Sequence, residues 1–453
     1  MLEVIISILV VLGVGYLIYK KYNATIALAV GGLVLLFAAV ALGHPILTPE
    51  ETTGIIWLDP FKKVELSFLK NLGNIGLTIM TLFGFSSYMN SIGANEVTVN
   101  LMTKPLGKIK SKYILVPFIF LIGNLLSLVV PSASSLAVLL MATLYPVLTK
   151  VGVTPLTAGA VIATTATIMP TPLGADNILA AETFGMNIMD YVIANAKISI
   201  PSLLIMAVAH YFWQKYLDKK EVSTVESKID ESKLDKVNGN LPPKYYAILT
   251  VLPLILVLLF NLVIKNVNIG LVSIAVISLI IAIIVELIRK KDFKVVSNDI
   301  EIFFKGMGNG LAMVVSLLVA ASLLVDGLKA IGVVDMITNS VQGLEGAGTI
   351  LMLAFSGVTF LIGLISGGGL SVFYASVEMI PDLAAAVGVA GPMIALPMQM
   401  VANLVRSISP VAACIIVVCS ITGTSPMQIV KRTSVPVIVG IISTLVLSIL
   451  MFS

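Results

Sequence analysis

An apolar run long enough to cross a bilayer, about 18 residues or more, has few ways to fold, and this chain is almost wholly built from such runs. In hydrocarbon each run must satisfy its own backbone as a helix. Irregular backbone is tolerated only where protein or a watery cavity receives its polar groups, so the interruptions carry the information. They fall twice, in corresponding places. In the first half a Ser-rich tip, Pro131-Ser132-Ala133-Ser134-Ser135, precedes a break through Pro170, Thr171, Pro172, Leu173, Gly174, Ala175, Asp176 and Asn177. In the second, Ser366-Gly367-Gly368-Gly369 precedes a break through Asn403, Arg406, Ser407, Ser409 and Pro410. Paired interruptions of this kind point to the binding site of a secondary transporter.

Composition agrees. Of 453 residues 58% are apolar and 11% charged, where a soluble protein carries about 25% charged residues. The net charge of +4 reflects Lys and Arg in surface loops and gives no hint of nucleic acid. Residues 1–19 lack a basic leading segment, carry Glu3, and are followed by Lys20 and Lys21, which reads as a retained first helix rather than a secretory signal.

Spans are expected at 2–19, 24–42, 73–92, a paired run 113–149, a broken run 154–184 and 194–213. They recur at 245–264, 268–288, 306–327, a paired run 348–386, a broken run 393–421 and 435–452. The positive-inside rule puts Lys20/Lys21, Lys104 to Lys112, Lys150, Lys215 to Lys220, Arg289 to Lys294 and Lys431/Arg432 in the cytoplasm, with Lys62 and Lys63 as exceptions. Run 113–149 then enters and leaves on the cytoplasmic side as a hairpin, and 348–386 does so from outside, with both chain termini outside. The expected fold is an all-α polytopic membrane protein of two inverted-topology repeats, 1–213 and 245–453. Each has five transmembrane helices, one broken, plus a re-entrant helical hairpin, and a charged cytoplasmic linker at 214–244 joins them.

Arg406 is the first candidate. An arginine deep in an apolar run is a functional-site residue by default, and its planar fork holds a carboxylate through two hydrogen bonds. The alternative is a structural ion pair with Asp176 or Glu378. Asp176 suits a coupling proton or cation, or neutralisation of Arg406. Asn177, Thr171 and the carbonyls freed around Pro170 and Pro172 suit a sodium ion. Ser132, Ser134 and Ser135 offer hydroxyls and a helix N-terminus, which attracts anions. Gly367, Gly368 and Gly369 let substrate approach bare backbone, with close helix packing as the alternative; Ser407 and Ser409 complete the substrate-binding set. Glu378 is a further coupling-ion candidate. Asp326 is expected to face outer water, His44 and His210 to lie at the interface, and Cys414 and Cys419 to be inert buried thiols. No cofactor is expected.

The stretches LLMATLYP (139–146), HYFWQKYLDKKE (210–221), FYASVEMIP (373–381), VKRTSVPVIVG (430–440) and IGANE (92–96) closely resemble the anaerobic four-carbon dicarboxylate transporters of the Dcu type C, within the ion transporter superfamily. The similarity covers nearly the whole chain, and Arg406 and Asp176 fall where the family pattern has Arg and Asp. The resemblance implies a carrier of succinate, fumarate, malate and aspartate in the bacterial inner membrane. It further implies scaffold and transport subdomains, an elevator-like motion and a homodimer, while Asp176, Glu378 and the freed carbonyls point to a proton or sodium as coupling ion. Two departures stand out. The second tip reads Gly367-Gly368-Gly369-Leu370 where the family reads more like Gly-Ser-Gly-Asn, and Asn177 replaces an apolar residue. A sodium-coupled carrier for another small carboxylate or amino acid is therefore the alternative, and an anion channel a further one. A channel needs repeated rings of charge or carbonyls, which single copies of Arg406 and Asp176 do not provide. Nor is there an HExxH pattern or a Ser-His or Cys-His set for an enzyme.

Overall fold

Several helices begin at a side-chain cap. Asn23 Oδ1 accepts from Ile26 N at 3.2 Å, Thr154 Oγ1 from Thr157 N at 3.2 Å ahead of Pro155, and Asp292 Oδ1 from Lys294 N at 2.9 Å. The computed structural model describes residues 2–109, 111–130, 132–221, 241–264, 267, 269–342 and 344–452, and every regular element among them is helical. Of the expected linker, residues 222–240 lie outside the described residues, as does Pro131 of the first tip.

The first half runs α1 (Leu2–Tyr19), α2 (Ala24–Ala41), α3 (Asp59–Asn71), α4 (Leu77–Ser91), α5 (Ala94–Thr103), α6 (Lys112–Leu126), α7 (Ala133–Thr143), α8 (Tyr145–Lys150), α9 (Pro155–Ala163), α10 (Ala175–Thr183) and α11 (Ile188–Lys220). The second runs α12 (Tyr246–Leu258), α13 (Leu271–Lys290), α14 (Phe293–Gly310), α15 (Ser316–Ala330), α16 (Val333–Val341), α17 (Ala347–Ser366), α18 (Gly369–Ser376), α19 (Ile380–Ala386), α20 (Gly391–Val405), α21 (Ala413–Thr422) and α22 (Pro426–Phe452). The order matches element for element. A five-residue π turn joins α3 to α4 (Leu72–Gly76) and α14 to α15 (Leu311–Val315), and left-handed Gly93 and Gly332 follow α4 and α15. Among the described residues eight helical segments are long and apolar enough to cross a membrane.

Two groups of helices pack. In one, α2 lies on α15, α4 on α14 and α13, and α5 on α12. In the other, α11 lies on α22 and α6, α17 and α18 on α20, and α7 on α21. Contacts between the groups include α15 against α18.

Several expectations change. The third span of each half, expected at 73–92 and 306–327, is part of a longer rod, 59–91 and 293–330, because a π turn keeps the backbone helical from the amphipathic helix before it. The span at 194–213 is the middle of a 33-residue helix. Arg432 does not sit in a loop but inside α22, 2% exposed, paired with Asp218 at 2.5 Å and Glu221 at 2.7 Å. His210 is not interfacial. It is fully buried, its Nε2 lies 3.1 Å from Thr164 Oγ1, and its ring packs on Phe120. Asp326 pairs with Lys63 at 3.4 Å.

Candidate functional site

Both expected breaks are real interruptions, and they meet. The helix of the first stops at Ala163 and resumes at Ala175 after Pro170 and Pro172; in the second a short 3-10 turn, Arg406–Ile408, and Pro410 separate α20 from α21. Proline has no N–H and fixes its own φ, which weakens helix at both stretches. Two of the carbonyls at the first break are taken by side chains of the opposite half. Arg406 Nη2 donates to Ala166 O, and Ser407 Oγ donates to Ala163 O at 2.9 Å. Asn403 Nδ2 reaches Asp176 Oδ2 at 2.8 Å, and Gln399 Nε2 reaches Asn177 Oδ1 at 2.8 Å.

Beside this junction lies a cavity of about 610 Å³. Ser132, Ser134 and Ser135 of the first hairpin line it, with Asp176, Gly367 of the second hairpin, and Arg406. α4 adds Ser86, Ser87 and Asn90, α5 adds Asn95, α14 adds Asn309, and the hairpins and second break add Tyr374 and Cys414. Sequence reasoning passed over these. The signal was the polar cluster Ser86-Ser87-Tyr88-Met89-Asn90 inside an apolar run, where positions three and four apart share one helix face.

The cavity favours an anion. The first turns of α7, α10, α18 and α21 all contribute to its wall, through Ala133 and Ser134, Ala175 and Asp176, Leu370, and Ala413 and Cys414. Helix N-termini carry partial positive charge and unspent N–H donors. Arg406 and Asp176 are the charged residues of the wall. Among the described residues Arg406 takes no ion pair and donates to Ala166 O, and its buried Nε has no partner. Neither Asp176 nor Glu378 forms the structural ion pair considered as the alternative.

Of the remaining candidates Thr171, Asn177, Ser407, Ser409, Gly368, Gly369 and Glu378 do not line the cavity. Thr171 Oγ1 donates to Leu128 O at 2.9 Å, fastening the first break to the first hairpin. Asn177 Nδ2 donates to Met169 O and Thr171 O at 2.7 and 2.9 Å. Ser407 O accepts from Thr433 Oγ1 at 2.6 Å, and Ser409 is buried. The glycines serve protein as much as any ligand. Gly367 has φ 74° and packs against Ala412, while a Cβ on Gly369 would stand 2.5 Å from Ala402 O. Gly368 likewise does not line the wall. Glu378 lies away from the cavity, accepting from Ser322 Oγ at 2.6 Å and pairing with Lys70 at 3.2 Å. No group of three or more His, Cys, Asp or Glu able to hold a metal occurs among the described residues.

Similarity to known proteins decides the family. Residues 2–453 match the family described as C4-dicarboxylate anaerobic carrier. The chain belongs to that family. It is 38% identical over 452 residues to the anaerobic C4-dicarboxylate transporter DcuC of Escherichia coli, covering 99% of this chain and 97% of the relative. It is 38% identical over 450 residues to a probable DcuC of Vibrio cholerae, covering 98% and 97%. Its fold is similar to the YdaH transporter of Alcanivorax borkumensis (TM-score 0.63, 16% identity, 94% of this chain and 98% of that one). It is likewise similar to MtrF of Neisseria gonorrhoeae, from a class of antimetabolite efflux pumps (TM-score 0.60, 13% identity, 97% of each chain). The carrier is thus a multi-pass membrane transporter and not an enzyme.

Proposed function

We propose that this carrier is a secondary active transporter that moves succinate, fumarate, malate or aspartate across the bacterial inner membrane by exchange or cation-coupled flux. The observation that carries the reading is Arg406, without an ion-pair partner among the described residues, in a wall where four helix N-termini converge. One substrate carboxylate takes the guanidinium fork. The other meets the hydroxyls of Ser132, Ser134 and Ser135 and the first turn of α7. Asp176, turned to the same cavity and held by Asn403, is the group available to a coupling proton. Thr171, Ser407 and Ser409 act by shaping the two breaks, Gly367 to Gly369 by letting the second hairpin close against α20 and Ala412.

The matching order of α1 to α11 and α12 to α22, together with the Lys and Arg bias, supports two inverted repeats with both termini outside. The group holding α2, α4, α13 and α15 acts as scaffold, the group holding the hairpins and breaks as the moving body of an elevator, and two copies of the scaffold pair as a homodimer.

The test is uptake of labelled succinate into proteoliposomes preloaded with fumarate, succinate or nothing. Stimulation by internal dicarboxylate is expected. Arg406→Lys keeps the charge but loses the fork, and half-saturation should rise about tenfold or more, as charged hydrogen bonds of roughly 1.5–3 kcal/mol imply. Unchanged transport by that variant would sink the clamp.

A further inference from the structure

At the first break the backbone carbonyls of Met169 and Thr171, which accept from Thr171 N at 2.8 Å and Gly174 N at 3.3 Å, each keep a second acceptor position turned to one amide nitrogen. Asn177 Nδ2 is that nitrogen, 2.7 Å from Met169 O and 2.9 Å from Thr171 O. Backbone carbonyls only accept, so the amide must turn its nitrogen toward them. Its Oδ1 in turn accepts from Gln399 Nε2 at 2.8 Å and Asn195 Nδ2 at 3.0 Å. Gln399 is oriented by Tyr191, whose hydroxyl donates to Gln399 Oε1 at 2.7 Å. Asn177 is fully buried, and both N–H groups and both lone-pair positions of its carboxamide are used.

Carbonyl oxygens at an unwound helix are what a coupling sodium ion would engage in a carrier of this build. A carboxamide offers the same carbonyls two donors and no net charge. We propose that Asn177 is a built-in cation surrogate: its Nδ2 does for the Met169 and Thr171 carbonyls what a bound sodium ion would do, and the carrier works without sodium at this break. A sodium ion entering here would have to displace the amide and strand two N–H donors in a buried site, which is strongly unfavourable. The inference rests on reading the chain as a secondary carrier and uses nothing about which carboxylate it moves.

Asn177→Asp tests it. A carboxylate has no N–H to give, so it faces two carbonyls with like partial charge unless a cation sits between them. The readout is thermal unfolding of the purified protein in sodium against potassium, beside dicarboxylate exchange in the same two salts. At about 100 mM, roughly a hundred times a millimolar dissociation constant, a binding cation raises the midpoint measurably. The wild type should show the same midpoint in both salts and an exchange rate that changes by less than about twofold. Asn177→Asp should gain a sodium-dependent rise. Should that variant not accumulate, Asn177→Ala, which frees the second acceptor position of each carbonyl, takes its place with the same expectation. A sodium-dependent midpoint or a several-fold loss of exchange without sodium in the wild type overturns the proposal, and so does a folded variant indifferent to sodium. If no dicarboxylate is taken up by any form while the midpoints behave as stated, the substrate reading falls and the surrogate stands.

Discussion

Two arginines lie within the helical body, Arg406 half-buried and Arg432 fully buried, and their neighbours set them apart. Arg406 meets a carbonyl and a cavity; Arg432 meets Asp218 at 2.5 Å, Glu221 at 2.7 Å and Thr157 Oγ1 at 2.7 Å, tying the end of α11 to the start of α22. Removing one partner of a buried pair leaves an uncompensated charge, so Arg432→Met should lower stability by about 3–5 kcal/mol, whereas Arg432→Met with Asp218→Leu should recover part of it. Thermal unfolding of the purified protein reads both, and loss of substrate affinity in the stable double variant would contradict a purely structural role. Glu221 adds a pH dependence. The Lys431 ammonium, and then Arg432, hold its carboxyl below the usual 4.5 against the opposing effect of burial. A depressed folded pKa means the unfolded chain takes up the proton first. The stabilisation is therefore complete above 4.5 and is lost as pH falls through the lower folded value. Glu221→Gln should flatten that acid limb of the unfolding midpoint; an unchanged limb would place the titration elsewhere. From the sequence Arg406 was legible because it stands alone among apolar residues. Arg432 was not, because beside Lys431 it looks like an interfacial charge and its acids lie more than two hundred residues away.

At the scale of elements the contacts between the two helix groups matter most, and several are ionic. Lys70 of α3 pairs with Glu378 at 3.2 Å, Lys329 of α15 with Asp382 at 2.7 Å, and Ser322 of α15 donates to Glu378 at 2.6 Å. All join the rods to the second arm of the second hairpin. The Lys70 side chain is 67% exposed and the Asp382 side chain 50%, so each pair contributes about 0–1 kcal/mol. A clasp that weak can open in every cycle of the proposed elevator. Glu378→Gln combined with Asp382→Asn should therefore raise the exchange rate by about twofold to fivefold while half-saturation moves less than about twofold. A tenfold loss of affinity would instead return Glu378 to the binding site. The rods themselves hid from sequence reading for a physical reason. A π turn keeps its residues helical and adds no proline, so the amphipathic stretch and the apolar stretch look like separate elements although the chain never leaves the helix. Breaks and tips were legible because proline, glycine and serine announce themselves in apolar sequence. The short α5 and α16, lacking the length of a span, did not.

For the molecule as a whole, the cavity belongs to neither half. α7 and α10 bring two helix starts from the first, α18 and α21 two from the second, and each break is hydrogen-bonded by side chains of the other half. A ligand held there touches both halves of the chain at once, so its arrival is reported by any group on the wall. The chain supplies one such reporter. Cys414, in the first turn of α21, lines the cavity, and Cys419, farther along the same helix, does not. Cys414 is 4% exposed, so in a Cys419→Ser background a small thiol reagent should modify it slowly, at a rate set by access through the cavity. A dicarboxylate at about ten times its dissociation constant should slow that rate roughly tenfold, since only the unliganded fraction reacts. A monocarboxylate of the same length can take the Arg406 fork but leaves the donors of Ser132, Ser134 and Ser135 unmet, so protection should need far higher concentrations. The same experiment on Arg406→Lys should lose protection in step with its raised half-saturation, because both follow one equilibrium. Equal modification rates with and without dicarboxylate, at concentrations that saturate exchange, would mean that substrate crosses elsewhere and that the convergence of helix ends on this cavity serves only the packing of the two halves.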